Sequence, residues 1–269
     1  TKIQFYKIIF YIYSMSASNN KETEIQKLLH VLQVDSDTSF SFFKNLSKEE
    51  LQKLRLQVIE VSQFTQTDIW KRLTGVSKYF PNYMNAKISE TVMGPLIVAN
   101  MSYYMPIKDA IAIMKHLSMP FLVSVAEYMT PEKSKNLINQ IPIDILKKIT
   151  TELVNRKKFM TAAGFVDVLE LSRLIELSKV ITREDDLISI SSFVENKKYI
   201  AQIIEGFTDE RLSKIITVAY NFGKQDEILT VFSHQSNKEV QRIMRIVSVL
   251  PVQLKTQILQ DFETRVQKL

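Results

Sequence analysis

The chain has 269 residues and a mass of 31.2 kDa, with 45% hydrophobic and 24% charged residues, the balance of a globular protein with a substantial core. Its 5 glycines are too few for a dinucleotide-binding fingerprint or a phosphate loop, and the lack of cysteine excludes disulfides, thiol nucleophiles and cysteine-held zinc or iron–sulfur centres. The net charge of +6 is spread thinly, +3 over residues 1–80, zero over 81–196 and +3 over 197–269, so no dedicated nucleic-acid module is expected from charge alone.

Residues 1–14 carry two lysines and the apolar run Ile8–Tyr13, which is too short for a spanning helix and has no small-residue cleavage site after it. Met15 opens a polar stretch and is expected to be the natural initiator, with residues 1–14 extraneous and the protein cytoplasmic. Glu24–Val34 has apolar residues at helical spacing, and Asp35–Ser41 reads as a turn-rich linker. Ser47-Lys48-Glu49-Glu50 is a capping box, opening a helix whose apolar side holds Leu51, Leu54, Val58 and Val61. A further helix is predicted over Thr67–Tyr79, carrying the single tryptophan, Trp70.

From about residue 81 prolines punctuate the chain. Pro95, Pro106, Pro120, Pro131 and Pro142 each precede an apolar helical pattern, as expected of proline in a first turn, where its fixed φ is already helical. Helices of this length, such as those predicted over 119–129, 131–140 and 142–155, span only ~16 Å and cannot stand alone. Period-2 runs and hairpin turns are absent, so the expected class is all-α.

The pattern repeats. FLVSVAEYMTPEKSKNLI (121–138) aligns without a gap on YIAQIIEGFTDERLSKII (199–216), with weaker copies at 241–258, around Gly164–Asp167 and at Pro95. The turn positions 95, 131, 167, 209 and 251 lie 36 to 42 residues apart, the mark of a helical-repeat array with three short helices per unit. Thr-Pro-Glu and Thr-Asp-Glu are interchangeable there because threonine caps the helix while proline or an acid suits its first turn. Ser236–Glu239 and Thr182–Asp185 read as further capping boxes, and helix capping rather than metal binding accounts for these acids. The expected organisation is a tail and short helix over 1–40, a helical segment over 41–80 and the repeat domain over 81–269.

Catalytic patterns are missing from the sequence. His30 and His116 lie among apolar residues and His234 in a polar turn, and no HExxH, GxSxG or phosphate-loop motif occurs. Seven methionines between Met84 and Met129 read as core filling. One positional feature carries a functional expectation. Arg156, Lys157 and Lys158 precede one helix and Lys197 and Lys198 a second, with Lys238 and Arg242 in the last repeat. Stacked in register, they would form a basic edge for an acidic protein, a nucleic-acid backbone or anionic lipid; their ordinary role is to cover helix C-termini.

Short helices opened by a proline or an acid, as in YMTPEKSKNLINQIPIDILKKI (128–149), resemble the cytoplasmic N-terminal domain of MgtE-type magnesium transporters. They are similar in style to the armadillo-like helices of the flagellar motor switch protein FliG. The resemblance covers residues 95–262 and implies an armadillo-like α-solenoid. That transporter domain is acidic and this chain basic, so no magnesium-sensing residue is carried over and a transport role is not expected. The expected function is a non-catalytic scaffold or adaptor that binds another protein on an exposed face. Weak nucleic-acid or anionic-membrane binding through the basic edge is the alternative; no enzyme activity, cofactor, metal or small-molecule substrate is implied.

Overall fold

The computed structural model describes residues 21–32, 34, 38–64 and 67–267, and among these every regular element is a helix, so the chain is all-α. Residues 1–14, Met15 and residues 35–37 of the expected 35–41 linker lie outside the described residues, while Thr38–Ser41 belong to a 3₁₀ helix rather than to a linker.

The first elements are α1 (Lys21–Val31), a 3₁₀ helix (Thr38–Asn45), α2 (Lys48–Phe64) and α3 (Thr67–Ser77). Helices α1 and α2 pack together over Ile25, Leu28, Phe43 and Leu51. At their seam the buried Glu24 accepts from Arg55 at 3.3 Å and pairs with Lys27 at the same distance. The capping box forms as expected: Ser47 N–H donates to Glu50 Oε2 (2.6 Å) and Glu50 N–H to Ser47 Oγ (3.1 Å). Val61, expected on the apolar side of α2, is 68% exposed. The seam ends near Arg55, which meets Glu24 in the first turn of α1, and Val61 lies six residues beyond it.

The proline-marked region then runs α4 (Asn82–Ile88), a π-helical turn (Ser89–Met93), α5 (Pro95–Ser102), α6 (Ile107–Met114), α7 (Met119–Tyr128), α8 (Pro131–Ile138), α9 (Ile143–Asn155) and α10 (Phe159–Val166). The helices at 95, 107, 119, 131 and 143 start twelve residues apart, and each proline sits where its missing N–H costs nothing. Pro95 and Pro131 are first helical residues, Pro120 is a second, and Pro106 and Pro142 are N-caps. The later helices are α11 (Leu171–Ser178), α12 (Glu184–Phe193), α13 (Lys197–Glu205), α14 (Asp209–Asn221), α15 (Gln225–Phe232), α16 (Asn237–Ser248) and α17 (Val252–Gln267).

Contacts group the chain into two compact units, residues 19–170 and 171–269. The expected step at residues 80/81 lies inside the first, where α3 packs on α5. Within each unit one packing rule recurs, in which a helix rests on its next-but-one neighbour. In the first unit α4 packs on α6, α5 on α7, α7 on α9 and α8 on α10; in the second α11 packs on α13, α12 on α14, α13 on α15 and α14 on α16. Side chains reinforce these steps. Asn139, at the end of α8, donates to Val168 O (3.0 Å) and accepts from Glu170 N–H (2.9 Å), and Gln235 after α15 donates to Ala201 O of α13 (2.8 Å).

The helices also reveal a repeat register that pattern reading missed. Shifting 142–169 by 66 residues (142 onto 208) lays α9 on α14, both of 13 residues, and α10 on α15, both of 8. Leu146, Ile149, Thr151, Asn155 and Lys158 then meet the identical Leu212, Ile215, Thr217, Asn221 and Lys224. The buried set Leu146, Ile149, Leu153 and Val154 matches Leu212, Ile215, Ala219 and Tyr220.

Two expected caps differ. Thr208 and Ser236 do accept from Arg211 N–H and Glu239 N–H, but Thr130 makes no cap bond. Its backbone N–H donates instead to Tyr103 Oη (2.7 Å), which fastens the start of α8 to the end of α5. At Thr182–Asp185 the N-cap is Arg183, whose guanidinium clasps Asp185, so the first turn of α12 is tied by an ion pair rather than by a hydroxyl.

Candidate functional site

The seven cations of the expected basic edge fall in both units. Arg156, Lys157 and Lys158 close α9 in the first; Lys197 and Lys198 open α13 in the second, and Lys238 and Arg242 lie on α16. Four of them hold internal bonds. Arg156 pairs with Glu152 (3.3 Å), and Lys158 Nζ reaches Glu127 of α7 at 2.6 Å. Lys197 Nζ donates to Ser191 O and pairs with Glu227 of α15 at 3.3 Å. Arg242 pairs with Asp209 (2.7 Å) and Glu239 (3.1 Å) and donates to the carbonyls of Glu205 and Phe207, bracing the α13–α14 turn from α16. Lys198 and Lys238 are exposed.

Lys157 differs from the rest. Its φ of 59° is the left-handed conformation that closes α9, with Lys157 N–H on Val154 O (2.9 Å) and Lys158 N–H on Leu153 O (2.8 Å). The equivalent position after α14 is Gly223, φ 67°, with Gly223 N–H on Tyr220 O and Lys224 N–H on Ala219 O. The lysine therefore carries backbone strain that the glycine does not. Its ammonium lies 5.4 Å from the Phe159 ring.

In the second unit an open recess of about 300 Å³ lies between the α11–α12 turn and the start of α14. Its basic lining is already engaged: Arg211 donates to Ser178 O and Ile181 O and stacks 4.3 Å from the Phe207 ring, and Lys214 pairs with Glu210 at 2.7 Å. Burial holds the imidazoles of His30 and His234 below their usual range; Glu127 opposes and Lys158 adds to the effect at His30, and Lys198 adds to it at His234. Among the described residues no three His, Asp or Glu side chains gather as metal ligands, and no helix is long and apolar enough to cross a membrane.

The surface that sequence reasoning passed over is the turn between α3 and α4. Of residues 75–84 all but Ser77 are exposed, among them Val76, Tyr79 (76%), Phe80, Tyr83 (62%) and Met84. The turn is nevertheless held in one shape. The buried Asn85 side chain donates to Ser77 O (2.8 Å) and Phe80 O (3.1 Å), and Lys78 Nζ lies 5.1 Å from the Tyr79 ring. Between Asp68 and Glu90 the chain has Lys71, Arg72, Lys78 and Lys87, all exposed, and no acid. The available signal was that acid-free run with three aromatics around Pro81; averaging the charge over residues 1–80 concealed it.

No protein-family model matches the chain, nor does any curated protein or solved structure.

Proposed function

We propose that the chain is a non-catalytic adaptor, each unit a stretch of armadillo-like α-solenoid, that binds another protein on an outward helix face. The observation that carries this reading is the next-but-one packing of 7–13-residue helices in both units. A helix in such a stack buries one face on its neighbours and leaves the other open along the row, which suits extended recognition better than an enclosed chemistry. The likeness of residues 95–262 to the MgtE and FliG helices supports the same architecture. Among the described residues of the second unit the most exposed large apolar side chains are Phe222, Val249 and Val252 (66%, 82% and 79%), at the ends of α14 and α16 and the start of α17. Aromatic and aliphatic side chains left open at helix ends are the type that anchors a protein interface.

The test is affinity capture with the full chain from extract of its own organism, treated with nuclease, followed by reconstitution with the purified partner. The expected result is a stoichiometric protein that persists at high salt and is lost in the Phe222→Ser/Val249→Ser double variant. A partner removed by nuclease, or none that reconstitutes, would overturn the adaptor reading.

A further inference from the structure

We propose that the α3–α4 turn is a docking tip for membrane surfaces rich in anionic lipid. This goes beyond the adaptor reading and stands or falls without it. Three observations converge on the same ten residues. First, the turn is open: nine of residues 75–84 are exposed, with Val76, Tyr79 and Tyr83 mostly in solvent and Phe80 and Met84 partly so. Aromatic rings with a polar tip, flanked by aliphatics, match the headgroup boundary of a bilayer, where an apolar body and a hydrated end are both satisfied.

Second, the charge is one-sided. Lys71, Arg72, Lys78 and Lys87 surround the rings over 21 residues without an acid, in a chain that carries 29 Asp and Glu. An anionic headgroup layer complements this arrangement: Lys78 lies on the turn, and Lys71, Arg72 and Lys87 lie five to seven residues from it on the two flanking helices, about a Debye length away at 1.5 Å per residue. Third, the shape is fixed before contact. Asn85 ties the carbonyls of Ser77 and Phe80 from beneath, so little ordering is needed when the tip seats. Single-stranded nucleic acid could stack on Tyr79, Phe80 and Tyr83 but would leave Val76 and Met84 unused, whereas a headgroup layer takes up all five side chains.

The experiment is co-sedimentation of the full chain with vesicles of phosphatidylcholine alone or with about 30% phosphatidylserine. Binding is expected only to the anionic vesicles, weakening as salt rises, with a loss of about fivefold for each of Lys71→Gln and Lys78→Gln. Tyr79→Ser/Phe80→Ser/Tyr83→Ser is expected to lower binding by at least ~10-fold with charge unchanged. Lys108→Gln/Lys133→Gln, which removes two exposed cations elsewhere in the first unit, is expected to bind as wild type. Because every substituted side chain is exposed, thermal unfolding serves as the control and should not move. Failure to bind anionic vesicles, retention of binding by the triple aromatic variant, or an equal loss in the Lys108/Lys133 variant would overturn the proposal. So would capture of an acidic protein or an oligonucleotide through the turn without vesicle binding.

Discussion

At residue scale, four glycine-related positions show how differently one Cβ can act. Gly164 of α10 faces Pro131 of α8, and a Cβ there would lie 2.7 Å from the rigid proline ring. Gly164→Ala is therefore expected to cost about 1–3 kcal/mol by overpacking. Gly75, inside α3 with open space around it, should respond in the opposite sense, with Gly75→Ala gaining roughly 0.5–1 kcal/mol. Lys157 is a non-glycine residue at a left-handed cap whose counterpart is Gly223. Lys157→Gly should stabilise by about 1 kcal/mol, and Gly223→Ala should destabilise by about as much. Urea denaturation of the four variants checks all of these signs.

The half-buried His30 gives a pH dependence whose direction follows from its depressed pKa. The native state then binds fewer protons than the unfolded chain between the lowered value and the ordinary 6.5. Stability is full above that window and falls as pH drops through it; His234 in the second unit contributes with the same sign. Unfolding midpoints measured from pH 8 downward should fall on acidification through the window, and less steeply in His30→Gln.

At the scale of elements, the side chains that join one helix to another matter more than the surface charges seen in the sequence. Arg242 reaches the carbonyls of Glu205 and Phe207 and the carboxylate of Asp209, all from the turn between α13 and α14. Asp209 is 69% exposed, so the ion pair itself contributes little, and the carbonyl bonds dominate. Arg242→Ala is expected to lower stability by about 1.5–3 kcal/mol, and Arg242→Lys to recover only part, since an ammonium cannot reproduce the spread of a guanidinium. Thermal melts of the two variants decide this. Helix starts were legible because proline and capping residues act locally: helices predicted at 119–129, 131–140 and 142–155 appear at 119–128, 131–138 and 143–155. Bonds such as Lys158–Glu127 and Arg242–Phe207 O were not legible, because they link residues about thirty positions apart through the packing of next-but-one helices.

At the scale of the whole molecule, the all-α class was readable from periodicity, whereas the repeat register needed the helices themselves. The alignment of 121–138 on 199–216 pairs helix–turn–helix segments that share a Thr-Pro/Asp-Glu turn, although Thr208 caps its helix and Thr130 does not. The 66-residue register instead matches lengths, burial and left-handed caps together, down to Lys157 against Gly223. The α3–α4 turn escaped notice for a different reason: sequence periodicity finds what is buried, and this segment is defined by what is not.

Next-but-one packing has a last consequence, which concerns parity. Over α11 to α16 odd-numbered helices step onto odd ones and even onto even, while contacts of α15 with α12 and α14 join the two rows. Excising one helix with its turn would hand the later helices of that unit to the opposite row, with their apolar stripes misplaced. Excising two in succession would restore the alternation. Such a chain can lengthen or shorten gracefully only in even steps.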